Sequence, residues 1–213
     1  MRRLVAVVTL AVLALVTLPA VASAQTLSEG MCGRAVHHLQ HRLGELRYLP
    51  ASYTPGCYDY RTMQAVTAFQ GWRRLGRDGV AGPRTLSALK TANIPRPWSN
   101  RHILHVEVHK TRQVLLLVGG LGRVQRAIHV STAAPGHVTP DGHFHVYAKY
   151  RMSWSKEFHV WLPWASYVVG GIAMHSFASV PPYPASHGCI RIPAPEARWV
   201  YKKTPIGTPV NIR

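Results

Sequence analysis

The run Ser186-His187-Gly188-Cys189-Ile190-Arg191 gathers a thiol, an imidazole and a guanidinium within six residues. The chain has three cysteines, Cys32, Cys57 and Cys189. If the first two pair, Cys189 has no partner left, and an unpaired thiol in an exported protein invites a functional reading. A thiol acts as a nucleophile through its thiolate, which a nearby cation favours. If the segment is extended, His187, Cys189 and Arg191 share one face, with Arg191 supplying the cation. Gly188 leaves the backbone bare for close approach of a substrate carbonyl. Such a nucleophile also needs a base. His187 stands two residues away, roughly 7 Å at strand rise. His175 lies fourteen residues upstream and returns only if the loop Val180-Pro181-Pro182-Tyr183-Pro184 folds back. Local spacing leaves both histidines open.

The elements that position these groups come from the second half of the chain. From Arg101 the apolar period is two: Leu104, Val106 and Val108 alternate with His105 and Glu107. Val114 to Val118 reads as a fully buried strand, and Val124, Arg126, Ile128 and Val130 alternate again. Gly119-Gly120 and Asp141-Gly142 mark turns between such runs. Phe144-His145-Val146, Ile172-Ala173-Met174 and Val210-Asn211-Ile212 continue the pattern, with one helix expected at Ala194–Tyr201. The first half reads as helical. Val36, Leu39, Leu43 and Leu46 form one face, Met63, Val66 and Phe69 another, and Gly82-Pro83 opens a third helix. The fold class is therefore α+β, a mostly-β, sandwich-like domain preceded by a small three-helix domain.

Residues 25–93 form the helical domain, 94–100 a linker stiffened by Pro95 and Pro97, and 101–213 the β domain. A helical core this small is marginal without a staple. Cys32 and Cys57 bracket its first helix and following loop, and are natural disulfide partners in an oxidising compartment. The linker implies that the β half works without the helical half.

Met1-Arg2-Arg3, the apolar run Leu4–Leu18 and Ala22-Ser23-Ala24 have the layout of a secretory signal, residues 1–24, cut after Ala24. The run is about fifteen residues, short against the roughly 20 that span a bilayer, so no stable membrane anchor is expected. The net charge of +17, from 25 Lys+Arg against 8 Asp+Glu, calls for an anionic partner. Export demotes nucleic acid, and no nucleic-acid-binding motif is present.

Ser186-His187-Gly188-Cys189-Ile190-Arg191 with His175 upstream resembles the active-site signature of the L,D-transpeptidases of bacterial cell walls. His105–Val108, Gln113–Leu115, Val130–Thr132, Thr139–Phe144 and Pro205–Val210 follow that family's order, so the resemblance covers about residues 101–213. The helical half resembles a three-helix peptidoglycan-binding module through Val36–Leu43 with Gln40, Thr62, Ala65-Val66, Phe69-Gln70 and Asp78–Leu86 with Leu89. The resemblance implies Cys189 as nucleophile and His175 as base, oriented by the Ser176 carbonyl. It implies an oxyanion hole from the N–H groups of Gly188 and Cys189, with Ser186, His187 and Arg191 shaping the substrate site. Two departures stand out: a short, Pro-rich loop between His175 and Cys189, and Arg191 where some members carry Asn.

The implied reaction is acyl transfer between peptidoglycan stem peptides through a Cys189 thioester, in the cell envelope, without metal or other cofactor. Water as acceptor would make it an L,D-carboxypeptidase or cross-link hydrolase. A non-catalytic wall-binding protein would lack Cys189 or His175. A papain-like peptidase would place Cys before His. A metallopeptidase is suggested by His37, His38, His41, His143 and His145, yet no His-Glu-x-x-His run exists. Arg73, Arg74, Arg77 and Arg84 cluster in the wall-binding half, where they favour anionic wall polymers as partners.

Overall fold

The computed structural model describes residues 26–99 and 101–213; the stretch read as an export signal lies outside the described residues. Three helices come first: α1 (Arg34–Glu45), α2 (Tyr60–Arg73) and α3 (Pro83–Lys90). Val36, Leu39 and Leu43 face inward from α1, as their spacing predicts. Asp59 caps α2 by accepting from the Thr62 N–H at 2.8 Å. Pro83 occupies the first turn of α3, where its missing N–H costs nothing. The Cys32–Cys57 disulfide is formed and ties the approach to α1 to the approach to α2. Buried Gln40 braces the same place, donating to the Cys57 carbonyl and to Thr62 Oγ1, both at 2.9 Å.

The β half is two packed sheets. One has strand order β3-β2-β1-β9-β4, where β1 is His105–His109, β2 Val114–Val118, β3 Val124–His129, β4 Gly142–His145 and β9 Pro209–Ile212. The other runs β5-β6-β7-β8: β5 Ala148–Ser155, β6 Val160–Val169, β7 Ile172–Ser176, β8 Ile190–Ile192. Val106, Val108, Leu115, Leu117 and Ile128 from the first sheet meet Val168, Met174, Ile190 and Ile192 from the second. Helix α4 (Ala194–Lys203) adds Ala197 and Val200 to this core. No helix among the described residues is long and apolar enough to cross a membrane.

The first sheet is buried on both faces. Val114, Leu116, Val118, Val124 and Ala127 point away from the inter-sheet core and join one apolar cluster with Val66, Phe69 and Leu43 of the helical half. Helix α2 is accordingly buried from Thr62 to Gly71 apart from half-buried Met63. Only glycine fits at 71: a Cβ there would stand 2.3 Å from the Arg112 carbonyl oxygen. Arg112 in turn donates to the Trp72 carbonyl and stacks 4.3 Å over the Trp72 ring. Arg61 of α2 and Arg126 of β3 both pair with Glu196 of α4. The two halves share a continuous core, so independence of the β half does not follow from the prolines between them.

The packing of β1 goes beyond its apolar alternation. His105 and Glu107, and His109 after them, are buried as well. The segment after Pro97 folds back over them: the Trp98 and Ser99 N–H groups donate to the Glu107 carboxylate at 2.9 and 3.1 Å. Burial alone would raise the Glu107 pKa, but these bonds and those from His109 and His105 outweigh it and hold the carboxylate below its usual range.

Candidate active site

Strands β7 and β8 run parallel, with His175 in register with Arg191. Residues in register on neighbouring strands point to the same face, and Cys189 is two residues before Arg191. The four residues from Ser186 to Cys189 do not continue the strand. They form a bend in which Gly188 has φ +148°, and a Cβ there would press on the Val138 carbonyl oxygen at 3.2 Å. Glycine is required by this turn rather than by substrate approach. Ser186, expected to contact substrate, uses its hydroxyl inside the bend: Oγ donates to the Cys189 carbonyl at 2.6 Å and accepts from the Gly188 N–H at 3.1 Å. The Gly188 N–H, expected to bind an oxyanion, is therefore engaged in this resting site. Thr139, which sequence reasoning did not single out as a site residue, donates from Oγ1 to the Gly188 carbonyl at 2.7 Å.

The bend separates the two histidines. His187 lines the same cleft as Cys189 but packs among aromatic rings at its exposed side. It is exposed, stacked on Phe158 with ring centroids 4.5 Å apart and edge-on to His137. His175 is buried and belongs to β7, one residue beyond the strand expected to stop at Met174. Its Nδ1 lies 2.7 Å from the Ser176 carbonyl oxygen. A carbonyl only accepts, so Nδ1 carries the proton. Burial lowers the His175 pKa to about 4, against the pull of the Ser176 carbonyl and with help from Arg191. At neutral pH the ring is uncharged, leaving Nε2 with a lone pair.

Cys189 is a free, half-buried thiol that receives the Ala173 N–H at 3.4 Å. Burial raises its pKa; the Ala173 N–H and Arg191 pull the other way and Glu157 adds to the rise. Arg191 acts in the direction expected, but desolvation wins, so the resting pair is thiol and neutral imidazole rather than thiolate and imidazolium. The Arg191 guanidinium lies 4.3 Å over the Phe177 ring.

His175, Cys189, Arg191, Ser186, Gly188 and His187 all line one cleft of about 620 Å³. Its far wall is the β5–β6 hairpin, through Trp154, Phe158, Val160, Leu162 and Tyr167. The sequence reading gave no role to this hairpin. The Pro-rich loop that separates His175 from Cys189 is pinned from outside. Ser131 Oγ donates to the Tyr183 carbonyl at 2.7 Å, the Ala185 and Ser186 N–H groups donate to the Thr132 carbonyl, and Gln64 of α2 reaches the Val180 carbonyl at 3.3 Å. His37, His38 and His41 are exposed on α1, away from this cleft.

A parallel β7–β8 pair presenting an uncharged histidine and a free thiol to one cleft, in a two-sheet domain behind three helices, defines the class. The family profile of the L,D-transpeptidase catalytic domain matches residues 104–212, and that of a peptidoglycan-binding domain matches residues 32–89. The chain belongs to the L,D-transpeptidase catalytic-domain family and is a peptidoglycan-directed enzyme. It is similar to the L,D-transpeptidase of Xylanimonas cellulosilytica, with 37% identity over 89% of this chain and 98% of that one, at a TM-score of 0.81. An L,D-transpeptidase of Stackebrandtia nassauensis shares the fold at 22% identity and a TM-score of 0.53, over 89% of this chain and 97% of that one. No curated protein sequence matches.

Proposed function

We propose that the protein is an exported L,D-transpeptidase that cross-links peptidoglycan stem peptides through a thioester on Cys189. The observation that carries this reading is the buried, uncharged His175, its Nδ1–H held by the Ser176 carbonyl, on the same cleft as the Cys189 thiol. In the first step His175 Nε2 takes the thiol proton as Sγ attacks the carbonyl carbon on the L-centre side of an L,D-peptide bond. The oxyanion is met by the Cys189 N–H, joined by the Gly188 N–H once it leaves Ser186. Collapse breaks the C–N bond, the leaving D-residue amine takes the proton back from His175, and the acyl group stays on sulfur. In the second step the amine of another stem attacks the thioester, giving its proton to His175. The amide cross-link forms and the thiol is restored.

A neutral resting pair suits this order, because charge develops only as the bond forms. Arg191 lines the cleft with its guanidinium and is suited to a stem carboxylate. Arg73, Arg74 and Arg84 are exposed on the helical half, where they suit anionic wall polymers at ranges within about 8–10 Å at physiological salt. Export through residues 1–24 agrees with the formed disulfide. The experiment is mass spectrometry of the products made from a purified tetrapeptide stem, with Cys189→Ala as control. Cross-linked dimer that needs Cys189 supports the reading. Tripeptide alone would make water the acceptor, and no Cys189-dependent product would reject the reading.

A further inference from the structure

The β5–β6 hairpin carries apolar side chains that the fold leaves uncovered. Trp154 and Trp161 are direct cross-strand partners, their rings 5.2 Å apart, and they are 44% and 55% exposed. Met152, 52% exposed, is two residues from Trp154 and pairs with Pro163. A contiguous exposed patch of this kind marks a binding surface rather than ordinary surface composition. It is also continuous with the catalytic cleft, because Trp154 and Phe158 line that cleft while Trp161 and Met152 lie beyond it. Lys156, exposed and lining the cleft two residues after Trp154, offers hydrogen-bond donors beside the patch.

We propose that the Trp154–Trp161 face binds the glycan strand of peptidoglycan, one sugar ring packing on the indoles while the attached stem peptide enters the cleft at Cys189. This rests on the reading of the cleft as a stem-peptide site. A stem is covalently joined to its sugar, so a cleft that admits the stem must hold the glycan near its mouth. An indole offers what a pyranose ring needs: a broad π face, negative at its centre, against the slightly positive C–H edges of the sugar. The hydroxyl and acetamido groups around that ring are left for Lys156 and solvent. Continuity with the cleft favours glycan over a lipid surface, which aromatic and basic residues would also suit.

The test compares acylation of Cys189 by a free tetrapeptide stem and by the same stem on its disaccharide, using the full mature chain. The wild type should favour the disaccharide form by about tenfold in kcat/KM, carried mainly by KM, as expected for one well-packed interface aromatic. Trp161→Ala should remove that preference and leave the free peptide unchanged, while Trp161→Phe should keep most of it. A wild type without preference, a Trp161→Ala enzyme that keeps it, or equal slowing of both substrates would overturn the proposal. So would binding of the wild type to anionic phospholipid vesicles that Trp161→Ala abolishes while the sugar preference survives. If neither substrate acylates Cys189, the stem-peptide reading fails separately. Binding of peptide-free glycan strands, weakened or unweakened by Trp161→Ala, then decides the glycan contact.

Discussion

His129 and His175 are the same chemistry in two regions, the junction between the halves and the cleft. Both are buried and uncharged at neutral pH, with pKa values lowered by desolvation to about 3 and about 4. Both use Nδ1 to meet an oxygen: Gln64 Oε1 for His129, the Ser176 carbonyl for His175. They differ in what the other nitrogen meets. His129 Nε2 is sealed without a partner against the helical half, whereas His175 lines a cleft that also holds a free thiol. A displaced pKa therefore does not define a site by itself; a reacting partner and room for substrate do. The junction is closed and serves packing, while the cleft is open and serves chemistry.

Removing the helical half would break the comparison most severely. It would strip the cover from Val114, Leu116, Val118 and Val124, each worth about 1.5–3 kcal/mol when fully buried. The sum rivals the whole stability of a typical domain, about 5–15 kcal/mol. Residues 101–213 alone should show no cooperative thermal unfolding and no acylation by a stem peptide. A soluble, cooperatively melting, active fragment would show that the junction is dispensable.

Gly71→Ala probes the same junction more gently. The new methyl must displace the Arg112 carbonyl, an overpacking cost of about 1–3 kcal/mol. Urea unfolding should show that loss while the acylation rate stays near wild type, because His175 belongs to the other sheet and Cys189 directly precedes its strand β8. Loss of rate without loss of stability would mean that the junction tunes the cleft.

Acid should sharpen the likeness between the two histidines. Each has a folded pKa below the usual 6.5, so the unfolded chain binds protons that the folded chain refuses. Their contribution is complete above about pH 6.5 and is lost as pH falls toward 4, by up to about 1.4 kcal/mol per pH unit for each group. Urea midpoints measured from pH 7 to pH 4 should fall with that slope. His129→Gln should flatten it by one group's share, and an unchanged slope would place the sensitivity elsewhere.

What the sequence made legible follows from what lies close in the chain. Val114–Val118 reads as a buried strand because both its faces are covered, leaving no polar residue to interrupt the run. Cys189 stands out by residue type, whereas His175 is set above His187 only by the family resemblance. The orientation of His187 was not legible, since the left-handed Gly188 turns the chain between it and Cys189. Strands β5 and β6 were missed because exposed Met152, Trp154 and Trp161 reverse the usual in–out pattern. The β6–β7 register also shifts between Tyr167 and Val169, which breaks the alternation along β6. The burial of His105 and Glu107 depends on Trp98 and Ser99 folding back over them, a tertiary contact that periodicity does not encode.

The central claim is that His175, not His187, activates Cys189. It is tested most directly by the mass shift of intact protein after timed exposure to a carbapenem. His175→Ala should slow acylation of Cys189 by about 10²–10⁴-fold, the usual effect of losing a general base, while His187→Ala should keep measurable acylation. A His175→Ala protein that acylates like wild type, with His187→Ala silent, would contradict the account and move the base to the exposed rim.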